Sequence, residues 1–147
     1  MAAIKLLAVI SLDGYMVEAP GGNPDYTDTL KDLISTLKSQ ASCLLDENSS
    51  ITLIREWKKN DSPLTTYLME ANRKTVSLLN CMMHMRLFDE IILYILPEFA
   101  GKGQCLFQPN LPEQQWACSE MKGCKDGIVR LTYRLYKDDK QTDMFSF

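Results

Sequence analysis

The chain has 147 residues and a mass of 16.8 kDa, with 46% hydrophobic and 24% charged residues. That is enough for one domain over residues 1–147, and it excludes a disordered, collagen-like or coiled-coil chain. A net charge of -3 gives no overall attraction to nucleic acid or anionic membranes, and no local basic patch replaces it.

Five cysteines, an odd number without a CxxC pair, and a single histidine, His84, disfavour both a disulfide framework and a metal site. Such usage suits a reducing cytoplasm. Apolar runs such as Ile91 to Leu96 are far short of the ~20 residues that cross a bilayer, so no membrane partner is expected. Lys5 followed by Leu6 to Ile10 imitates a signal peptide, but the apolar run is short and no cleavage site follows.

Leu6 to Ile10 therefore reads as a first strand covered on both faces, ended by the turn residues Ser11-Leu12-Asp13-Gly14. After the loop Ala19-Pro20-Gly21-Gly22, Asn23 can cap a helix with Pro24 at its first position and Asp25 and Asp28 in its first turn. Leu30, Leu33, Ile34 and Leu37 give that helix one apolar stripe. Ala41 to Leu45 predicts a second strand, Ile51 to Trp57 a short helix capped by a serine, and Leu64 to Met69 a third strand. From Asn72 a helix runs towards Met85, apolar over much of its circumference. Ile91 to Leu96, closed by Pro97, is a fourth and strongly buried strand.

Gly101-Lys102-Gly103 is a loop. Beyond it, Val129, Leu131, Tyr133 and Leu135 alternate with Arg130, Thr132 and Arg134, as in an antiparallel strand with one wet face. Trp116 to Met121 is its expected partner. Strands alternating with helices, then an antiparallel hairpin, define an α/β class with a mostly parallel sheet and a mixed edge. The polar tail from Lys137 carries Met144, Phe145 and Phe147 as apolar exceptions.

Three ordered patches resemble the dihydrofolate reductase-like family, nearest to the C-terminal reductase domain of RibD in riboflavin biosynthesis. They are Lys5 to Tyr15, Leu87-Phe88-Asp89-Glu90-Ile91 through Pro97 with Gly101-Lys102-Gly103 and Leu106-Phe107, and Gly127 to Tyr133. The resemblance implies flanking helices on a mostly parallel sheet, a nicotinamide cofactor across the strand C-termini, and hydride delivery to a pterin or pyrimidine-type heterocycle. In such enzymes the cofactor carries the chemistry and the protein orients it. No catalytic residue is assigned. Because ligands bind beyond the carboxyl ends of strands, Ala8, Ser11, Asp13, Gly14 and Tyr15 are substrate-binding candidates. Asp25 and Asp28 join them as carboxylates for the ring's amidine-like edge, against the alternative that they serve the helix dipole.

Two family patterns are altered. The "GR.T" stretch after the second strand corresponds to Glu47-Asn48-Ser49-Ser50, with acid where a cofactor 2′-phosphate would lie. The "EGG" turn corresponds to Glu70-Ala71-Asn72, followed by Arg73 and Lys74, which could attract a phosphate at the helix start. Asn48, Ser49, Ser50, Glu70, Ala71, Asn72, Arg73 and Lys74 are thus the cofactor-binding candidates. Weak binding of NADPH or NADH, with little preference between them, is expected. The short connection from Trp57 to Leu64 omits a strand and helix of the family's cofactor half. The alternative to a reductase is therefore a non-catalytic relative serving as a ligand-binding or dimerising module. The resemblance also points to a homodimer, with the methionine-rich helix 76–85, the strand 128–136 and the tail as surfaces for it. His84, without a nearby serine or acid motif, is a helix-end or surface residue.

Overall fold

The computed structural model describes residues 2–17 and 24–136, and of residues 24–27 only the backbone. In chain order the elements are β1 (Ala3–Ile10), α1 (Pro24–Gln40), β2 (Cys43–Leu45), α2 (Ile51–Asn60), β3 (Thr66–Glu70), α3 (Val76–His84), β4 (Glu90–Ile95), β5 (Trp116–Gly123) and β6 (Val129–Leu135), with a short 3-10 turn at Lys125–Gly127. They build one six-stranded sheet in the order β2-β3-β1-β4-β6-β5. The pairs β2–β3, β3–β1 and β1–β4 are parallel, while β4–β6 and β6–β5 are antiparallel. This is a dihydrofolate reductase-like architecture, and each strand expected from the sequence lies in it as a neighbour of its expected partners.

Alternation along β1 explains the two cores. Ile4, Leu6 and Ala8 face α2 and α3 and pack with Ile54, Leu79, Met82 and Phe88. Leu7 and Val9 face the other way, onto Leu30 and the stripe Leu33, Ile34 and Leu37 of α1. A strand covered by helices on both faces must be apolar at every position, which is why Leu6 to Ile10 shows no period. Each fully buried leucine or isoleucine here contributes about 1.5–3 kcal/mol by leaving water.

Two expectations are corrected by packing. Leu64 is almost fully exposed, and the third strand begins only at Thr66, where pairing with Ala3 starts. In β6 the alternation is present, but the coverage is not the one expected. Thr132, on the side read as wet, is 8% exposed, whereas Val129 and, opposite Leu131 in β5, Met121 are 38% and 77% exposed, although Tyr133 of the apolar side packs on the core. Thr132 sits opposite Ile92, which belongs to the α1-side core, and Arg130 of the same side is paired with Glu120 at 2.7 Å. The methionines Met82 and Met83 of α3 are buried, as the apolar circumference of that helix predicts, while Met85 is exposed. The loop 19–22, the cap Asn23 and the tail 144–147 lie outside the described residues.

Candidate functional site

At the C-terminal end of β1 the chain turns tightly through Gly14, whose φ of 88° suits a residue without a side chain. The Ser11 amide donates to the Tyr15 carbonyl at 2.9 Å, and the buried Ser11 hydroxyl donates to the Asp13 carboxylate. Asp13 then reaches across to the loop after β4, where its two oxygens accept the amides of Ala100 (3.0 Å) and Gly101 (2.8 Å). The Ser11 hydroxyl first, and these amides with it, hold the Asp13 carboxyl down at about 2. An acid this fully occupied is a clamp, not a proton donor.

Further bonds fasten the same two loops. The Leu12 amide donates to the Glu98 carbonyl and that of Met16 to the Gln104 carbonyl, each at 2.8 Å, and Tyr15 bridges to Cys105. The fastened loops and the β3–α3 turn enclose a cleft of roughly 610 Å³, lined among others by Met16, Arg73, Glu98, Phe99, Lys102 and Gln104. It opens where the chain's direction of travel across the sheet reverses, since β1 leads through α1 towards β2 and β3, while α3 returns to β4 on the other flank. Such a switch point is the general ligand site of open α/β sheets.

Of the substrate candidates, Ser11 and Asp13 hold the loops behind the cleft and Tyr15 lies against Gly103 of its lining, but neither these three nor Gly14 lines it. Ala8 is buried in the α2/α3-side core and does not reach the cleft. Asp28 is exposed on α1, and the side chain of Asp25 is outside the described residues. The cleft residues Glu98, Phe99, Lys102 and Gln104 were not singled out from the sequence. Their signal is the Pro97 that ends β4 and the Gly-Lys-Gly loop after it.

The two phosphate candidates are closed by their own side chains. After β2, the Asp46 carboxylate accepts the Asn48 amide at 2.9 Å, Ser49 accepts the Asp46 amide at 3.0 Å, and Ser50 caps α2 by accepting the Leu53 amide at 3.4 Å. After β3, Glu70 pairs with Lys38 of α1 at 2.6 Å. The Ala71 amide donates to the Leu7 carbonyl at 2.8 Å. Neither Ala71 nor Asn72 has a positive φ, so the glycine that the family pattern would require is not needed by this backbone. Asn72 Oδ1 accepts the amides of Lys74 (2.8 Å) and Thr75 (2.9 Å), and Thr75 Oγ1 accepts the amide of Asn72 (2.9 Å). The Val76 amide donates to the Asn72 carbonyl at 3.0 Å, so the first helical turn begins at Asn72. This is a reciprocal capping box, with threonine where glutamate or glutamine is usual. Arg73 alone of the cofactor candidates lines the cleft.

No protein-family model matches the sequence, and none of the curated proteins does. Solved structures do match in fold. RibD from Acinetobacter baumannii is similar at a TM-score of 0.62 and 13% identity over 92% of this chain, which spans 58% of RibD. The riboflavin biosynthesis reductase of Saccharomyces cerevisiae is similar at 0.51 and 13% over 92% of this chain and 89% of that one. Dihydrofolate reductase from Enterococcus faecalis, solved with NADP(H), is similar at 0.52 and 8% over 92% and 97%. The chain has the dihydrofolate reductase-like fold, related to that of the RibD C-terminal domain. In the turn after β3 the amides of Ala71, Asn72, Lys74 and Thr75 are paired within the chain. Among the described residues no helix is long and apolar enough to cross a membrane.

Proposed function

We propose that this protein is a ligand-binding relative of the reductases, taking a small heterocycle that carries one negative charge, without dinucleotide chemistry. The observation that carries this reading is the strand-end cleft, whose described lining includes the cations Arg73 and Lys102 and the acid Glu98. The nearby Asp13 carboxylate directs its hydrogen bonds to Ser11, Ala100 and Gly101 rather than to Lys102. Phe99, at the cleft, offers a flat apolar face to a ring.

Calorimetry with a carboxylated pterin and a carboxylated pyrimidine tests the reading. Saturable binding by wild type is expected, weakened about tenfold in Lys102→Ala through loss of one charged hydrogen bond. Absence of heat with both at about 1 mM, or binding indifferent to Lys102→Ala, overturns it. The second reading is a nicotinamide-dependent reductase of a pterin or pyrimidine-type ring. It is favoured by the likeness to the yeast riboflavin biosynthesis reductase and to dihydrofolate reductase. Ligand-dependent oxidation of NADPH or NADH at micromolar cofactor would establish it in place of the first.

A further inference from the structure

The outer edge of β5 is left unpaired by every described segment. The strand stands last in the sheet order, and it is exposed from Ala117 to Gly123. Alternation along β6 shows which of its backbone groups are free. The Leu135 amide donates to the Asp89 carbonyl just before β4, and the Tyr136 amide to the Gln115 carbonyl just before β5. Odd-numbered residues of β6 therefore bond β4, and even-numbered ones bond β5. The Cys124 amide, donating to the Ile128 carbonyl at 2.7 Å, keeps that phase at the far end of the pair. Met121 lies opposite Leu131, while Glu120 and Lys122 lie opposite Thr132 and Arg130. The amide and carbonyl of Met121 thus point out of the sheet.

We infer that β5 is a docking edge for a second copy of this chain, the two strands pairing antiparallel about a two-fold axis at Met121. In that register residue 121 meets itself, and Glu120 of each copy lies opposite Lys122 of the other. An axis normal to the sheet keeps each face on its own side, so opposed side chains are also neighbours. Edges guarded against such pairing carry charges that repel across the axis. Here unlike charges straddle the central residue, so the edge attracts its own copy twice. Lys122 has no ion pair among the described residues, and Glu120, though held by Arg130 at 2.7 Å, keeps 45% of its side chain exposed. On the other face Met121, 77% exposed, gains its own counterpart as an apolar neighbour. The bulge between Cys118 and Glu120 bends the strand and confines the contact to about residues 119–123 of each copy, which suits a reversible dimer. A contact of this symmetry closes on itself and gives a dimer, not a fibre. The inference holds whatever the cleft binds.

Sedimentation of the full chain over a concentration series is the test. Wild type should pass from one chain to two below about 1 mM, and a single chain at that concentration overturns the inference. Lys122→Glu and Glu120→Lys each replace two attractive oppositions by two repulsive ones and should weaken the dimer about tenfold. Mixed in equal amounts they should pair with each other at near wild-type strength. The double variant Glu120→Lys with Lys122→Glu should do so by itself, because unlike charges again meet across the axis. Single variants as tight as wild type, or recovery in neither the mixture nor the double variant, overturn the inference. Should Glu120→Lys fail to fold for want of the Arg130 pair, Lys122→Ala and Lys122→Glu decide. The first removes attraction without adding repulsion, so it should weaken the dimer less than the second, and equality of both with wild type refutes the register. Hydrogen exchange separates edge pairing from a contact through the sheet face. The Met121 amide should slow as concentration rises, while that of Lys122, paired with Arg130 in either state, should not. A Met121 rate independent of concentration means that the edge is covered within one chain or stays open in the dimer, and overturns the inference.

Discussion

Asp89 is the residue through which α2 is tied to the sheet, and its removal gives the sharpest stability prediction. Its carboxylate accepts the Ile4 amide at 2.9 Å and two bonds from Lys58 Nζ at 2.7 and 2.8 Å, while Lys58 also donates to the Leu87 carbonyl at 3.2 Å. The side chains of Lys58 and Asp89 are 13% and 22% exposed. Exposed ion pairs contribute about 0–1 kcal/mol, whereas breaking a buried one costs about 3–5 kcal/mol because it strands the partner. This pair lies nearer the buried limit, but the flexible lysine can swing to water, so Asp89→Ala should cost about 2–3 kcal/mol. Asp89→Asn retains an acceptor for Ile4 and should cost about 1 kcal/mol less. Urea unfolding measures both, and a double-mutant cycle with Lys58→Met should return a coupling of about 1–2 kcal/mol. A loss under about 0.5 kcal/mol in Asp89→Ala, or no coupling, would refute the reasoning and place the pair among ordinary surface contacts.

Asp13→Ala should release the loop after β4, accelerating hydrogen exchange at Ala100 and Gly101 while barely changing the unfolding midpoint. Because the folded Asp13 carboxyl lies at about 2, below its ordinary 3.8, the clamp is fully present above the higher value and lost only as pH falls through the lower, which carboxyl NMR would follow. Tyr67 donates to Asp61 and stacks on Trp57 at 5.4 Å, and the Asp61 bond pushes its hydroxyl up to about 12 from 10.0. The stabilisation should persist below the lower value and vanish as pH rises through the higher, a step seen in phenolate absorbance and absent from Tyr67→Phe. For the exposed apolar strip at Met121 and Val129 we propose a second copy of the chain as cover. Light scattering should give the mass of two chains, reduced to one in Met121→Glu, and one chain throughout would reject it.

How much of this was legible in the sequence varied with the range of the interaction. Leu6 to Ile10 and the stripe Leu30 to Leu37 announce their partners because their patterns are the imprint of two-sided and one-sided burial. The β6 alternation was equally legible, but which side is covered depends on where α1 and Glu120 come to lie, and no local pattern carries that. The cleft shows the same limit. Asp13 is recognisable as a turn residue, yet its partners Ala100 and Gly101 are 87 and 88 positions away and meet it only because β1 and β4 pair in parallel. Asn72-x-x-Thr75, by contrast, was readable as a capping box, and comparison with a glycine turn obscured it.

The short β2–β3 connection and the closed α3 turn have one physical consequence. The strand β2 has three residues, stands at the sheet's edge, and passes through α2 directly into β3. No further strand extends the platform on that flank among the described residues. A helix start that takes no ligand there leaves orphan amides, and each must find water or a side chain. A capping residue supplies the partner and stabilises the helix by about 1 kcal/mol. Here the Asn72 oxygen is that partner for the amides of Lys74 and Thr75. On the proposed reading, binding falls on the β1 and β4 side, where Asp13 holds the loops.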